Sequence, residues 1–130
     1  MTKDNGTVLI VDDDADIREL MKIILETEGY RVNVAADGVE ALQLLRAGAH
    51  PALILLDLMM PRMDGEQFLK EMRSTHFSRT PVVIMSGHVA SQTKANELHA
   101  SFCLMKPVEC ADLLKTVKRF AAAGLRKEPA

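Results

Sequence analysis

The sequence predicts an α/β fold, a doubly wound parallel sheet of five strands with five helices on its two faces. Short apolar runs of strand length alternate with stretches of helical period along nearly the whole chain. The runs at residues 8–11, 53–56 and 82–85 are continuously apolar, which is typical of strands covered on both faces. Because every parallel crossover returns the chain to the same sheet, this alternation favours one layered domain.

The first helix is predicted between the first two strands, where apolar residues recur at helical spacing. One core-facing stripe is formed by Ile17, Leu20, Met21, Ile24 and Leu25. Asp14 or Asp16 can cap the start of this helix, and Gly29 supplies a left-handed stop. A second strand is expected at Arg31–Ala35.

Two further helices flank the third strand. Residues 38–47 form a helix whose predicted buried face consists of Val39, Leu42 and Leu45. Residues 58–64 include Pro61 and are predicted to form a loop. Asp64 then caps a third helix, whose apolar side chains are Phe68, Leu69 and Met72.

The last part of the chain supplies the remaining elements. Residues 89–98 have a thin apolar stripe and middling helix propensity, and we assign them a short fourth helix. A fifth strand is expected at Phe102–Met105, followed by a last helix that ends near Ala123. We therefore expect one domain over residues 1–123 and a flexible tail over residues 124–130, with no output domain.

Composition excludes several classes of function. A net charge of -2 over 130 residues gives no electrostatic basis for direct nucleic-acid binding. Cys103 and Cys110 are not a CxxC pair, so neither a disulfide nor a zinc site is indicated. No apolar stretch reaches the roughly twenty residues of a membrane span, and the first residues lack a secretory signal. We therefore expect a cytoplasmic protein with no membrane partner.

Acidic side chains follow two strands that are neighbours in a doubly wound sheet. Asp12 and Asp13 come directly after the first strand, and Asp57 comes directly after the third. Carboxylates gathered at one edge repel each other, so a cation is needed to keep them ionised. Oxygen ligands of this kind suit Mg²⁺ or Mn²⁺. The simpler alternative is that Asp13 and Asp14 cap a helix while Asp57 ends a strand, and for Asp14 we favour the cap.

Two more polar positions lie at the same predicted edge. Ser86 ends the fourth strand, and Gly87 after it leaves a backbone N–H unobstructed for an anion. Lys106 follows the fifth strand, where its ammonium can balance carboxylates or hold a phosphoryl oxygen. Taken singly, Ser86 could be a plain turn residue and Lys106 a solvated surface lysine, but the acids, the hydroxyl and the lysine at successive strand ends together favour a site. No glycine-rich phosphate loop follows the first strand, which disfavours a nucleotide-binding fold.

With these residues in place, residues 8–120 resemble the CheY-like receiver domain of two-component response regulators. The matching motifs are Val11-Asp12-Asp13-Asp14 with Ile17-Arg18, Leu55-Leu56-Asp57-Leu58-Met59-Met60-Pro61 with Met63-Asp64-Gly65, Met85-Ser86-Gly87, and Met105-Lys106-Pro107. The resemblance implies a flavodoxin-like fold with strand order 2-1-3-4-5. It also implies a cis bond between Lys106 and Pro107.

The resemblance assigns a role to each residue of the site. It implies that Asp57 is the phospho-acceptor and that Asp12, Asp13, Asp57 and the backbone carbonyl of Met59 bind Mg²⁺. Ser86, the backbone of Gly87, and Lys106 are implied to contact the phosphoryl group. Positions two residues beyond the acceptor and two beyond the serine modulate hydrolysis in the family, and here these are Met59 and His88. His88 either steers a water molecule or is an ordinary exposed loop histidine, and we favour the second interpretation.

The implied function is a phosphorelay module that switches a protein-binding surface. The implied donor is a phosphohistidine on a sensor histidine kinase or phosphotransfer protein, and the downstream protein is unknown. No enzymatic activity is implied beyond self-phosphorylation and autodephosphorylation. A homodimer through the face of helix four, strand five and helix five is a further implied contact.

Two other functions compete with this one. An Mg²⁺-dependent phosphatase acting through an aspartyl-phosphate generally needs a second acid where this chain has Met59. A pseudo-receiver that only scaffolds is disfavoured because all the phosphorylation residues are present.

One position departs from the family pattern. Receivers usually carry Tyr or Phe three residues before the lysine, whereas this chain has Cys103 there and Phe102 one place earlier. On a strand these two side chains point to opposite faces. One hypothesis is that output is read from the loop after the fourth strand and the adjoining helix. The competing hypothesis is a bulge that moves Phe102 into the position of the ring.

Overall fold

A computed structural model of the chain describes residues 6–58, 64–75, 79–87 and 100–127. Five parallel strands form one sheet in the order β2-β1-β3-β4-β5. The strands are β1 (Thr7–Val11), β2 (Arg31–Ala35), β3 (Leu53–Asp57), β4 (Val82–Ser86) and β5 (Phe102–Met105). The predicted fold class and the implied strand order are confirmed.

Four helices lie within the described residues: α1 (Ala15–Thr27), α2 (Gly38–Arg46), α3 (Gly65–Arg73) and α4 (Cys110–Lys127). Helix α4 is the last predicted helix. The helix predicted over residues 89–98 falls outside the described part of the chain. Within that part, no helix combines the length and the apolar character needed to cross a bilayer.

The core has two layers because the sheet is covered on both faces. On one face, α1 and α4 pack against the strands through Met21, Leu25, Leu113 and Val117. On the other face, α2 and α3 contribute Ala41, Leu42, Leu45, Phe68, Leu69 and Met72. Every residue of β3 and β4 is buried. This explains why the two segments are continuously apolar rather than alternating.

Aspartate caps fix the starts of α1 and α3. The Asp14 carboxylate accepts hydrogen bonds from the backbone N–H groups of Asp16 and Ile17, so Asp14 and not Asp16 is the cap of α1. Asp64 caps α3, and the Gln67 side chain accepts from the Asp64 N–H to complete a capping box. Gly29 follows α1 with φ at 92°.

The predicted core stripe of α1 is wrong at one position. Leu20 is 59% exposed and its neighbour Ile23 is 54% exposed, whereas Met21 and Leu25 are buried. Helix α1 lies over β1 and β2 at the margin of the sheet, where β2 is an edge strand. A helix in that position buries a narrower face than the full amphipathic stripe of its sequence.

The predicted end of the last helix was too early. Helix α4 runs past Ala123 to Lys127, so the first part of the predicted tail is helical. Gly124 is buried against Ala52, so closely that an added Cβ would lie 1.7 Å from the Ala52 carbonyl oxygen. This packing of helix backbone against the start of β3 is a tertiary contact that helical periodicity does not reveal.

Candidate functional site

The carboxyl ends of four strands bring the predicted site residues to one edge of the sheet. Asp12 follows β1, Asp57 ends β3, Ser86 ends β4 and Lys106 follows β5. The strand register pairs Asp57 with Met85 and Ser86 with Met105. The ends of neighbouring strands are therefore level, and residues distant in sequence lie side by side.

Three carboxylates converge at this edge. Ligand atoms of Asp12, Asp13 and Asp57 all lie within 4.8 Å of one another. Asp12 and Asp57 are buried, whereas Asp13 is exposed. A tight group of hard oxygen donors that opens to solvent on one side has the composition of a divalent-cation site. The chemistry of the donors therefore fits the metal predicted from the sequence.

Lys106 reaches the same carboxylates from β5. Its Nζ lies 2.9 Å from Asp12 Oδ2 and 3.5 Å from Asp57 Oδ2. Burial by itself lowers the pKa of Lys106, but the hydrogen bond and charge of Asp12 and the charge of Asp57 outweigh burial and raise that pKa. Lys106 is therefore a cation at neutral pH and offsets part of the negative charge.

Asp12 is held at every one of its polar groups. Its N–H donates to Ala35 O at 3.1 Å, and its Oδ1 accepts from the N–H of Asp14 at 2.9 Å. Its Oδ2 accepts from Lys106, and its carbonyl accepts from Arg18 Nη1 at 2.7 Å. Arg18 belonged to the motif that carried the resemblance, but no role for it was predicted from the sequence.

Ser86 and Gly87 lie where the sequence places them. Ser86 is buried at the end of β4, and its carbonyl accepts from the Lys106 N–H at 2.9 Å. Gly87 is exposed, and a Cβ added there would meet nothing within 4 Å. A residue with a side chain would therefore fit at position 87 without a steric clash at its Cβ. Met59 and His88 lie outside the described residues.

Gly65 is a second residue whose role was missed. A Cβ at this position would lie 2.6 Å from Asp57 O and 2.8 Å from Leu58 Cα. The Gly65 N–H also donates to Leu58 O at 3.1 Å. The start of α3 thus lies directly against the backbone of Asp57. Asp64 was predicted from the sequence as a helix cap, but no role was predicted for Gly65 beside it.

The implied cis bond between Lys106 and Pro107 is confirmed. The bulge hypothesis for β5 is wrong, because Phe102, Cys103, Leu104 and Met105 pair with β4 in an unbroken register. Cys103 is buried, and burial raises the pKa of its thiol.

Phe102 lies on the other face of β5, away from the position of the family's usual ring. It stacks on Phe120 of α4 with ring centroids 5.9 Å apart. The Arg119 guanidinium carbon lies 4.8 Å from the centroid of the Phe120 ring. The aromatic ring of β5 is therefore engaged with α4.

Comparison of the sequence with known protein families identifies the family of this chain. Residues 8–118 match the response regulator receiver domain. The chain belongs to that family. Receiver domains are signalling modules of two-component systems, and they interact with histidine kinases or phosphotransfer proteins.

Curated relatives of this receiver domain are regulators of greater length. It is 39% identical over 113 residues to a transcriptional regulatory protein, the CpxR homolog of Haemophilus influenzae. That match covers 85% of this chain and 48% of the relative. It is also 37% identical over 114 residues to the regulatory protein AtoC of Escherichia coli, covering 86% of this chain and 24% of AtoC. The chain thus spans half or less of these relatives.

Solved receiver structures have the same fold. Chemotaxis protein CheY4 of Vibrio cholerae is 33% identical with a TM-score of 0.81, over 88% of this chain and 98% of that one. A CheY-like receiver domain protein of Methanospirillum hungatei is 28% identical with a TM-score of 0.84, over 95% of this chain and 99% of that one.

Proposed function

We propose that this receiver domain accepts a phosphoryl group on Asp57 from a phosphohistidine of a sensor histidine kinase or phosphotransfer protein. The observation that carries the proposal is the position of the Asp57 carboxylate. It lies within a group of three acids and 3.5 Å from the Lys106 ammonium. Carboxylates gathered in one cluster need compensating positive charge, and Lys106 supplies part of it.

In the proposed reaction an Asp57 carboxylate oxygen attacks phosphorus in line with the bond to the donor imidazole. The new bond joins that oxygen to phosphorus, the P–N bond breaks, and its electron pair returns to the imidazole nitrogen. Carboxylate is a weak nucleophile, so the reaction depends on positioning and on neutralisation of charge.

We infer that Asp12, Asp13 and Asp57 hold Mg²⁺ or Mn²⁺, with the Met59 carbonyl as a further proposed ligand. When bound, the ion supplies positive charge that offsets the carboxylates and the phosphoryl oxygens. Burial of Asp12 and Asp57 increases the need for a cation, because buried carboxylates without compensating charge are costly.

Lys106 and Ser86 are proposed to bind the phosphoryl oxygens. The ammonium of Lys106, already anchored on Asp12, holds its charge beside the attacking carboxylate. The Ser86 hydroxyl and the Gly87 N–H are donors at the end of the neighbouring strand. Later attack by water on the acyl phosphate returns Asp57 to its carboxylate form.

The output is proposed to be a change of protein-binding surface in the cytoplasm. Phosphorylation alters charge and hydrogen bonding at Ser86 and Lys106, and both lie at strand ends next to the sheet edge formed by β5. We assign the partner, or a second copy, to a surface formed by β5, α4, the residues that follow β4 and the segment at residues 89–98. Affinity shifts only as far as the partner distinguishes the two states.

Incubation of the whole chain with Mg²⁺ and acetyl phosphate, followed by intact-mass measurement, tests the proposal. We expect one phosphoryl adduct on the wild type and none on Asp57→Asn. Asp112→Asn removes a carboxylate at the start of α4 and is the matched control, which should still be phosphorylated. An adduct that persists in Asp57→Asn, or the absence of any adduct on wild type, contradicts the proposal.

A further inference from the structure

We propose that Arg18 is a positioning residue for cation binding, because its guanidinium fixes the main chain between Asp12 and Asp13 and so directs the Asp13 carboxylate. This inference rests on the proposed function, since it concerns how the same site holds its ion. Arg18 lies in the first turn of α1, and its side chain donates a hydrogen bond to the backbone carbonyl of Asp12.

The hydrogen bond from Arg18 is short and carries charge. Nη1 donates to the Asp12 carbonyl at 2.7 Å from a half-buried position. Donors that carry a formal charge form shorter and stronger bonds than neutral amides. A planar guanidinium on a helix also loses less freedom on binding than a lysine ammonium.

Arg18 supplies a hydrogen-bond donor to the Asp12 carbonyl that the neighbouring strands do not supply. Val11 is the last paired residue of β1. It pairs with Ala35 of β2 on one side and with Leu56 of β3 on the other. The Asp12 carbonyl therefore lies just beyond both strand registers. The Asp12 carbonyl oxygen instead accepts its hydrogen bond from Arg18 of α1. A buried carbonyl without a hydrogen-bond partner costs free energy.

The consequence falls on Asp13. The peptide unit is planar, so fixing the direction of the Asp12 carbonyl also fixes the plane that contains the N and Cα atoms of Asp13. Among the described residues, no hydrogen bond or ion pair holds the Asp13 side chain. The Cα atom from which that exposed carboxylate extends is therefore placed by the backbone that Arg18 holds.

A purely electrostatic role predicts the opposite effect on binding. A cation near three carboxylates repels Mg²⁺, so removing its charge would tighten binding if charge alone mattered. Removing a residue that aims a ligand weakens binding, and loss of such outer supports typically costs ten- to a hundredfold in metal affinity. The sign of the change therefore separates the two roles.

Calorimetric titration of the whole chain with Mg²⁺ tests the inference. We expect Arg18→Met, which keeps the apolar stem and removes every donor, to raise the Kd for Mg²⁺ about tenfold. Arg46→Met removes the same charge from the last turn of α2 and should leave the Kd within about twofold. An unchanged or lower Kd for Arg18→Met overturns the inference.

A double-mutant cycle tests whether Arg18 acts through Asp13. We expect Arg18→Met to change the Kd by less than about twofold when Asp13→Asn is already present, because the carboxylate it would aim is gone. Full additivity of the two changes contradicts this route. If Arg18→Met does not fold, Arg18→Lys takes its place, and a Kd equal to that of wild type overturns the inference.

The same titration separates this inference from the proposed function. Wild type that binds no Mg²⁺ overturns the proposed site and this inference with it. Wild type that binds Mg²⁺ and is phosphorylated, while Arg18→Met binds equally well, overturns the inference alone.

Discussion

Asp12 illustrates how one residue can organise a site through contacts with several elements. It follows β1, its amide donates to β2, its carbonyl accepts from α1, and its carboxylate accepts from Lys106. These three contacts come from different parts of the chain. Because each restrains a different atom, the Asp12 carboxylate is held in one orientation before any cation binds, which is the basis of preorganisation.

Gly65 gives a prediction at the scale of one residue. Gly65→Ala should lower the free energy of unfolding by about 1–3 kcal/mol, because its Cβ would overlap backbone atoms that cannot turn aside. Those atoms are Asp57 O and Leu58 Cα, at 2.6 and 2.8 Å. The measurement is urea unfolding followed by circular dichroism.

Gly87→Ala is the matched control, since an added Cβ there meets nothing within 4 Å. Its unfolding free energy should stay within about 0.5 kcal/mol of wild type. Equal stability of the two variants would show that the contact of α3 with Asp57 is not a steric constraint.

The acids, Ser86 and Lys106 could be predicted from the sequence because strand-end position is a local property. Once a parallel sheet is inferred, residues after its strands must share an edge. Arg18 and Gly65 could not be assigned in this way. Their roles depend on which backbone atom lies opposite each of them, and residue type and spacing do not encode that distance.

At the scale of elements, α4 shows that a glycine can be required inside a helix. Gly→Ala in a helix interior normally stabilises by about 1 kcal/mol. Gly124→Ala should instead destabilise by about 3 kcal/mol, because its Cβ would lie 1.7 Å from the Ala52 carbonyl oxygen. Thermal and urea unfolding of the two proteins measure the difference.

Ala122→Gly on the exposed side of the same helix is the control, with an expected loss of about 1 kcal/mol from propensity alone. A Gly124→Ala protein more stable than wild type would mean that α4 can move away from β3 without cost.

The bounds of β2 and β5 were predicted correctly from the sequence. The end of α4 and the exposure of Leu20 were not, because both depend on what the helix lies against. Helical periodicity shows that a helix has an apolar face. It does not show how much of that face a neighbouring element covers.

At the scale of the whole molecule, three groups among the described residues make stability fall at alkaline pH. Burial raises the pKa of the Cys103 thiol, and burial together with the charge of Glu28 raises that of Tyr30. The pKa of Lys106 is raised by Asp12 and Asp57 against the opposing effect of burial. All three bind a proton more tightly in the folded chain than in the unfolded one.

The sign of the pH dependence follows from this tighter binding. The contribution to stability is fully present below the ordinary pKa values of 9.0 for Cys103, 10.0 for Tyr30 and 10.5 for Lys106. It is lost as pH rises through the higher folded values. We expect the free energy of unfolding to fall progressively from about pH 9 to about pH 11 in urea titrations.

Tyr30→Phe removes one of these groups and should make that fall shallower above its ordinary pKa of 10.0. Since Tyr30 is the only tyrosine and the chain has no tryptophan, phenolate absorbance reports its ionisation directly. A folded-state midpoint at or below 10.0 would contradict the raised pKa.

The bond between Asp12 and Lys106 spans 94 positions of the chain. During synthesis the aspartates leave the ribosome well before the lysine that balances them, because translation adds only about 5–20 residues per second. A nascent chain that has not yet made β5 therefore carries its acids without their counter-charge. The positive charge that Lys106 brings to Asp12 is therefore present only once the last strand has been made.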